Sequence, residues 1–154
     1  MYIDILFVLS IYFLWTFKKY ALIYIVGYSI STVINVVLKA ILKEPSLDQD
    51  KTFIKILETN GKNVEISSYG MPSLRAQNSA YSLVYSFLVI THNMEYLNKF
   101  QSIFWIFMGI ITGEIGYSII KNQNTTAQII VGFLVGILIG YMVYKVGKNK
   151  IKMV

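Results

Sequence analysis

The chain has 154 residues, of which 55% are hydrophobic, and it carries a net charge of +6 with no cysteine. The apolar residues come in long runs that a soluble domain of this size cannot bury, so the composition indicates a polytopic membrane protein. The lysines mostly flank these runs, a pattern that encodes membrane topology and gives no reason to expect a nucleic-acid partner. The lack of cysteine and the single histidine, His92, argue against thiolate and multi-histidine metal sites, so no metal or cofactor is predicted.

Five apolar runs predict an all-α fold, a membrane helical bundle of about five transmembrane helices in a single domain over residues 1–154. The predicted spans are about 2–17, 20–42, 76–91, 100–120 and 126–146. Pro45 ends the second span because proline has no N–H and disfavours helix in the preceding residue. A polar loop of roughly 25–30 residues follows, and residues 52–57 within it predict a short interfacial helix.

The positions of the lysines predict the orientation of the helices. With five spans, the turn after the first span, the loop after the third and the C-terminal tail lie on one side of the membrane. The basic residues on that side are Lys18, Lys19, Lys99, Lys145, Lys148, Lys150 and Lys152. The positive-inside rule therefore predicts a multi-pass protein with a cytoplasmic C-terminus.

The fifth span carries Gly132, Gly136 and Gly140 at four-residue spacing. In a membrane this spacing lets a neighbouring helix approach closely. The neighbour is either another helix of the same chain, which is the favoured interpretation, or a second copy or another membrane protein.

Three sequence blocks lie at span ends that this topology places on one side. The first is Leu38–Pro45, at the end of the second span. The second is Tyr69–Gln77, with the sequence YGMPSLRAQ, where the third span begins. The third is Tyr117–Gly132, across the turn between the fourth and fifth spans. The three blocks are expected to converge on one pocket.

Together the blocks resemble the motifs of the type 2 phosphatidic acid phosphatase superfamily, which includes lipid phosphatases and vanadium haloperoxidases. Pro72 and Ser73 match the Gly-Met-Pro-Ser-Gly-His-Ala-Gln signature, and Gln128 matches a glutamine of the dolichyl-diphosphatase-like branch. The resemblance implies a membrane-embedded phosphatase fold and hydrolysis through a phosphohistidine. Compact relatives occur in large DNA viruses, and the chain is rich in Ile, Lys, Asn and Tyr, so a viral source is one interpretation by association.

The blocks depart from the family at the positions that carry its chemistry. Arg75 stands where the resemblance places the histidine acid, and Asn124 stands where it places the histidine nucleophile. Ser118 replaces the arginine that clamps phosphate. In the first block, Glu44 stands where an arginine is usual, and Lys39 is the nearest candidate for the family lysine.

These replacements predict an inactive member of the family with either a structural or a lipid- or phosphate-binding role. An amide nitrogen such as that of Asn124 has no available lone pair for nucleophilic attack, and the Arg75 guanidinium cannot act as an acid near neutral pH. His92 cannot substitute, since the predicted topology places it on the opposite side of the membrane. The alternative is an active lipid phosphate or polyprenyl diphosphate phosphatase with a non-standard site.

Basic and hydroxyl residues of the blocks are candidates for binding a phosphate or a lipid headgroup, which makes membrane lipids the predicted partner. These candidates are Lys39, Lys43, Ser73, Arg75 and Lys121. The alternative is that the cations among them only flank membrane spans.

Glu114 is an acidic residue within the fourth span. A carboxylate in a membrane span is costly and normally faces the protein interior with a partner. Glu114 lies one helical turn before Ser118, so it is expected on the same side of the pocket. The sequence predicts that it pairs with Arg75 or Lys39; a water-filled cavity is the alternative surrounding.

Overall fold

The computed structural model describes residues 5–44, 69–93, 97–120 and 124–152. These residues form five helices, which confirms the all-α class: α1 (Ile5–Leu14), α2 (Lys18–Leu42), α3 (Leu74–Asn93), α4 (Leu97–Ile120) and α5 (Thr126–Lys152). The predicted interfacial helix at 52–57 and Lys121 lie outside the described residues.

The first helix ends three residues before the predicted end of the span 2–17. Helix α1 has ten residues and is about 15 Å long, half of a ~30 Å hydrocarbon core. It ends in a tight turn, where the Phe17 N–H donates to the Leu14 carbonyl at 2.8 Å. The Ala21 N–H then donates to the Phe17 carbonyl at 3.0 Å and opens α2. As a result, Lys18 and Lys19 belong to the first turn of α2 and not to a loop between two spans.

The other helices begin or end beyond their predicted apolar limits. Helix α3 continues to Asn93, α4 begins at Leu97, and α5 continues to Lys152, six residues beyond the predicted end of the fifth span. The lysines of the last turns of α5 suit a helix C-terminus, where the backbone dipole favours cations. The predicted bounds were shorter because they followed hydrophobicity, whereas the hydrogen-bonded backbone of a helix continues into its polar ends.

Helix α3 is the centre of the bundle and packs against each of the other four helices. Its buried tyrosines form a stacked cluster with α2, with ring centroids 5.4 Å apart for Tyr24 and Tyr81 and 5.9 Å apart for Tyr81 and Tyr85. Their hydroxyls are not left unpaired, because Tyr81 donates to the Tyr24 carbonyl and Tyr85 to the Tyr20 carbonyl, each at 2.9 Å. This pairing allows large rings with polar ends to fill the core.

The closest helix contact is between α3 and α5, where the glycines of the fifth span face α3. A Cβ on Gly132 would lie 2.5 Å from the Ser73 carbonyl oxygen, and one on Gly136 would collide with the Gln77 carbonyl oxygen. A Cβ on Gly140 would lie 3.1 Å from the Tyr81 carbonyl oxygen. The face that these three glycines present is thus covered by α3 of the same chain.

Over the described residues, two helices meet the combined length and hydropathy of a membrane span: α2, over Lys18–Leu42, and the Thr126–Ile151 part of α5. Only 28% of the apolar window of each helix is buried inside the protein. Large apolar side chains therefore point outward, among them Val26 and Leu138. A core helix of a soluble protein would be covered on most sides, so this distribution fits contact with lipid.

Candidate functional site

The three sequence blocks meet at one end of the bundle through backbone hydrogen bonds. The Gly70 N–H donates to the Glu44 carbonyl at 2.8 Å, which joins the second block to the first. The Ser73 N–H donates to the Gln128 carbonyl at 3.0 Å, which joins the second block to the third. The ends of α2, α3 and α5 that the sequence placed on one side are therefore adjacent in space.

A buried amide pair fixes the second block against α2. The Asn35 side-chain nitrogen donates to the Pro72 carbonyl at 3.1 Å and to the Gln77 Oε1 at 2.8 Å. The Gln77 Nε2 donates in turn to the carbonyl and the hydroxyl of Ser31, at 2.7 and 3.0 Å. Asn35 and Gln77 are at most 1% exposed. Because an unpaired amide in this setting is costly, the network holds the Pro72 turn at a defined position beside α2.

A second polar group fixes the start of α5. Thr125 and Gln128 form a capping box: the Gln128 N–H donates to the Thr125 hydroxyl at 3.2 Å, and the Thr125 N–H donates to the Gln128 Oε1 at 3.0 Å. The Gln128 side chain is fully buried against Gly70, where an added Cβ would lie 2.5 Å from Nε2. Glycine at position 70 and glutamine at position 128 therefore fit each other sterically.

The predicted site residues on α3 and next to α5 lie around this junction. Ser73 is buried, with 2% of its surface exposed, and its carbonyl accepts the Gln77 N–H at 3.0 Å, so it begins α3. Arg75 follows in the first turn of α3 and is half-buried. Asn124 is also half-buried, one residue before the capping box.

The predicted site residues on α2 lie at its C-terminal end. Lys39 is half-buried in the last turn. Lys43 is exposed and ends the helix with a left-handed backbone, at φ 49°, while its N–H donates to the Lys39 carbonyl at 3.0 Å. Glu44 follows, and its carbonyl makes the link to Gly70 described above.

Two further predicted positions are described only for their backbone. Glu114 and Ser118 lie in the second half of α4, and their side chains are outside the described part of the structure. The predicted pairing of Glu114 with Arg75 or Lys39 therefore stays a prediction.

His92 lies at the other end of the molecule. It belongs to the last turn of α3, seventeen residues after Arg75, which corresponds to about 26 Å along the helix axis. Its Nδ1 lies 3.5 Å from the Lys148 Nζ near the end of α5. The separation of His92 from the three blocks, expected from the topology, is thus present in the fold.

Sequence reasoning missed the part of the site that Asn35 provides. The sequence does indicate that Asn35 has a buried partner, because a carboxamide in the middle of an apolar span is costly without one. The sequence does not reveal that partner, since Gln77 follows 42 residues later and other polar residues lie between.

Comparison with known families agrees with this arrangement of blocks. A sequence model of the PAP2 superfamily matches residues 20–152, which include all three blocks and exclude α1. The chain belongs to the PAP2 superfamily. Neither curated proteins nor solved structures give a significant match to the chain. Membership in the PAP2 superfamily indicates a phosphatase-like, lipid-related protein, and it agrees with the outward-facing apolar helices.

The junction carries groups that can attract an anion. Arg75 offers a guanidinium at the N-terminal turn of α3, a location where the helix dipole also favours negative charge. Lys39 and Lys43 add positive charge at the end of α2. Asn124 contributes an amide, which can donate or accept a hydrogen bond but cannot attack phosphorus.

Proposed function

We propose that this protein is an inactive PAP2 superfamily member that binds a phosphate-bearing lipid in the membrane. One combination of features carries the proposal: the hydrogen bonds that join the three blocks are in place, while Arg75 and Asn124 occupy the family's two histidine positions. A framework kept by buried hydrogen bonds, with its reactive groups replaced, is suited to binding and not to turnover.

The chemistry of the family requires groups that these positions do not supply. Phosphoryl transfer through an imidazole needs a nucleophile and a proton donor for the leaving group. Asn124 cannot form the covalent intermediate, and Arg75 keeps its proton throughout the physiological range. Losing a nucleophile or an acid typically costs orders of magnitude in rate, so the combined loss leaves no useful turnover.

The positive charge at the same positions supports a phosphate ligand. A guanidinium pairs with two phosphate oxygens through parallel hydrogen bonds, and Arg75 lies where the family places a phosphate-contacting group. Lys39 and Lys43 supply further charge, with Ser73 at the start of α3. Lys121 belongs to the same proposed set by its place in the sequence.

In this proposal, the apolar groove between α3, α4 and α5 does not hold the acyl chains of the lipid. It has a volume of about 440 Å³ and is lined mainly by apolar side chains, among them Val84, Phe104 and Leu138. Val84 follows Arg75 by nine residues, and at about 100° per residue it falls on the opposite face of α3. A lipid held by Arg75 therefore extends along another face of the bundle.

The proposal includes a multi-pass arrangement with the C-terminus in the cytoplasm. The two long apolar helices, the outward-facing apolar side chains and the lysines at one end of the bundle support it. In this arrangement α2 to α5 each cross the membrane. Helix α1, as the fifth apolar segment, covers about half of the hydrocarbon core over its described residues.

Turnover and binding by the purified full-length protein test the proposal. We expect no release of phosphate from phosphatidic acid or a polyprenyl diphosphate above a protein-free blank. We also expect phosphatidic acid to bind more tightly than phosphatidylcholine. Because a charge-assisted hydrogen bond contributes about 1.5–3 kcal/mol, Arg75→Gln should weaken phosphatidic acid binding roughly 10- to 100-fold.

Lys62→Gln, which removes one positive charge from the polar loop outside the proposed set, is the matched control and should leave phosphatidic acid binding at this site within about twofold. Phosphate release that Arg75→Ala abolishes would show an active enzyme with a non-standard site. Equal binding of the two lipids would contradict the proposed ligand.

A further inference from the structure

The end of the bundle opposite the three blocks carries a group of cations, called the basic end below. Its members come from three helices: Lys18, Lys19, His92, Lys145, Lys148 and Lys150. Core contacts show that these helices meet there, because Tyr20 and Tyr144, each next to a lysine, belong to one buried cluster. A Cβ on Gly147 would lie 3.1 Å from the Ile23 side chain, so α5 packs closely on α2 at this level.

Direct contacts within the basic end join α3 to α5. The Lys148 Nζ lies 3.5 Å from the His92 Nδ1 and 6.0 Å from the centre of the Tyr144 ring. The His92 and Tyr144 rings meet edge to face, with centroids 6.4 Å apart. These contacts keep an ammonium group beside an imidazole, next to an aromatic surface at the rim of the core.

Acidic residues in the described part of the chain lie far from the basic end. They are Glu44, which follows the opposite end of α2, and Glu114, in the second half of α4. Glu95 lies in the short segment 94–96, outside the described residues. Among the residues that the structure describes, the basic end holds five lysines and no acidic residue, so positive charge dominates this part of the surface.

Lys18 and Lys19 are unfavourably placed for the stability of their own helix. They occupy the first turn of α2, which has no acidic residue and no side-chain cap at Phe17. The positive end of the helix dipole repels cations at this position, whereas it favours carboxylates. The lysines of α5 lie near a helix C-terminus, where the dipole favours cations. At the start of α2 the dipole opposes the two lysines, so a bound anion would stabilise this end of the helix.

We infer that the basic end binds the anionic headgroups of membrane phospholipids. The outward apolar faces of α2 and α5 place their lysine-bearing ends at the level of the headgroups. Clusters of four to eight basic residues beside a membrane helix are typical of binding to anionic lipid. The site is separate from the one at Arg75, so the inference does not depend on the proposed function.

Quenching of Trp15 by brominated lipids provides the test. Trp15 is exposed and lies three residues before Lys18, and Trp105→Phe removes the only other tryptophan. We expect the full-length protein in nonionic detergent to bind brominated phosphatidylglycerol at least 100-fold more tightly than brominated phosphatidylcholine. Inorganic phosphate at the same concentration should not compete, because it lacks the chain that holds the headgroup at the membrane surface.

Two triple variants with equal changes in charge locate the site. Lys18→Gln, Lys19→Gln and Lys148→Gln together should weaken phosphatidylglycerol binding about 100-fold, roughly fivefold per lysine. Replacing Lys51, Lys55 and Lys62 of the polar loop with glutamine should change it less than twofold. The Lys18 and Lys19 double variant keeps the test valid if loss of Lys148 disturbs folding, and it should weaken binding about 25-fold.

Equal binding of the two lipids, or an equal loss in both triple variants, would overturn the inference. Loss of phosphatidylglycerol binding in Arg75→Gln would also overturn it, because the lipid would then occupy the junction of the three blocks. Persistence of phosphatidylglycerol binding in that variant supports a separate site at the basic end, whatever the outcome at Arg75.

Discussion

At the scale of single residues, the site depends on side chains that never touch a ligand. Asn35, Gln77 and Ser31 are buried between α2 and α3 and satisfy one another in a continuous set of hydrogen bonds. Ser31 also donates to the Asn78 Oδ1 at 3.2 Å. Burying any one of these polar side chains alone costs free energy, whereas burying it with its hydrogen-bond partners costs little. The set therefore favours one register of α2 on α3.

Two serines of α2 allow this set to be tested with the same substitution. Ser31→Ala removes a buried hydroxyl that pairs with Gln77 and Asn78, and we expect it to lower the free energy of unfolding by about 1–2 kcal/mol. Ser29→Ala is the control, because the Ser29 hydroxyl is exposed and donates only to the Ile25 carbonyl of its own helix. Its effect should stay within about 0.5 kcal/mol.

Thermal and denaturant unfolding in a nonionic detergent would compare the two serine variants with the unmodified protein. An equal loss of stability in both would show that the network between α2 and α3 adds nothing beyond the bonds within one helix.

At the scale of helices, contact between α3 and α5 brings the second and third blocks together. The glycines of α5 let its backbone lie against the backbone of α3, closer than any larger residue permits. Ala76 and Ala80 on α3 provide small partners for Gly132 and Gly136. In lipid, where apolar surfaces gain little from meeting each other, this close packing is a main source of helix association.

Gly136→Ala should separate these two helices. The new methyl group would collide with the Gln77 carbonyl oxygen, a backbone atom that cannot rotate away, so we expect a loss of more than about 2 kcal/mol in stability. Phosphatidic acid binding at the junction should weaken in parallel. Gly113→Ala on α4 is the matched control, because a Cβ there meets nothing within 4 Å.

Alanine also has a higher helix propensity than glycine by about 1 kcal/mol, so Gly113→Ala should leave stability unchanged or raise it. The melting temperature in detergent and lipid binding by the folded fraction are the measurements. If Gly136→Ala behaves like Gly113→Ala, the close approach of α3 and α5 is not needed for the fold.

At the scale of the whole molecule, the bundle has two chemically different ends. One end holds the three blocks, where Lys39, Lys43 and Arg75 lie with Glu44, and the other is the basic end, which has five lysines and no described acidic residue. Apolar side chains cover the outer faces of α2 and α5 between these ends. By the positive-inside rule, this excess of lysines at the basic end is the basis of the proposed orientation, with the basic end toward the cytoplasm.

The lack of cysteine makes this orientation directly measurable. Single variants Lys55→Cys, in the polar loop, and Lys150→Cys, near the end of α5, each introduce one thiol into the full chain. We expect a membrane-impermeant maleimide to label position 55 in intact cells, and position 150 only after the membrane is opened. Labelling of both positions, or of position 150 alone, in intact cells would contradict the proposed topology.

Much of the fold follows from local patterns in the sequence. Long apolar runs, polar stretches between them and the proline after α2 predict helices, because hydrophobicity and backbone chemistry act over neighbouring residues. The same reasoning gave the order of the three blocks and their common side. The end of the first span was predicted three residues too late, because the turn after Leu14 lies within an apolar run and leaves no hydrophobicity signal.

The sequence alone determined the class of protein, the family resemblance and the absence of histidine at positions 75 and 124. Only the tertiary structure decided which polar residues meet. Three contacts join residues that are more than forty positions apart in the sequence. Asn35 pairs with Gln77, α3 covers the glycines of α5, and His92 contacts Lys148. Such pairs depend on the rotation and register of packed helices, which no local pattern specifies.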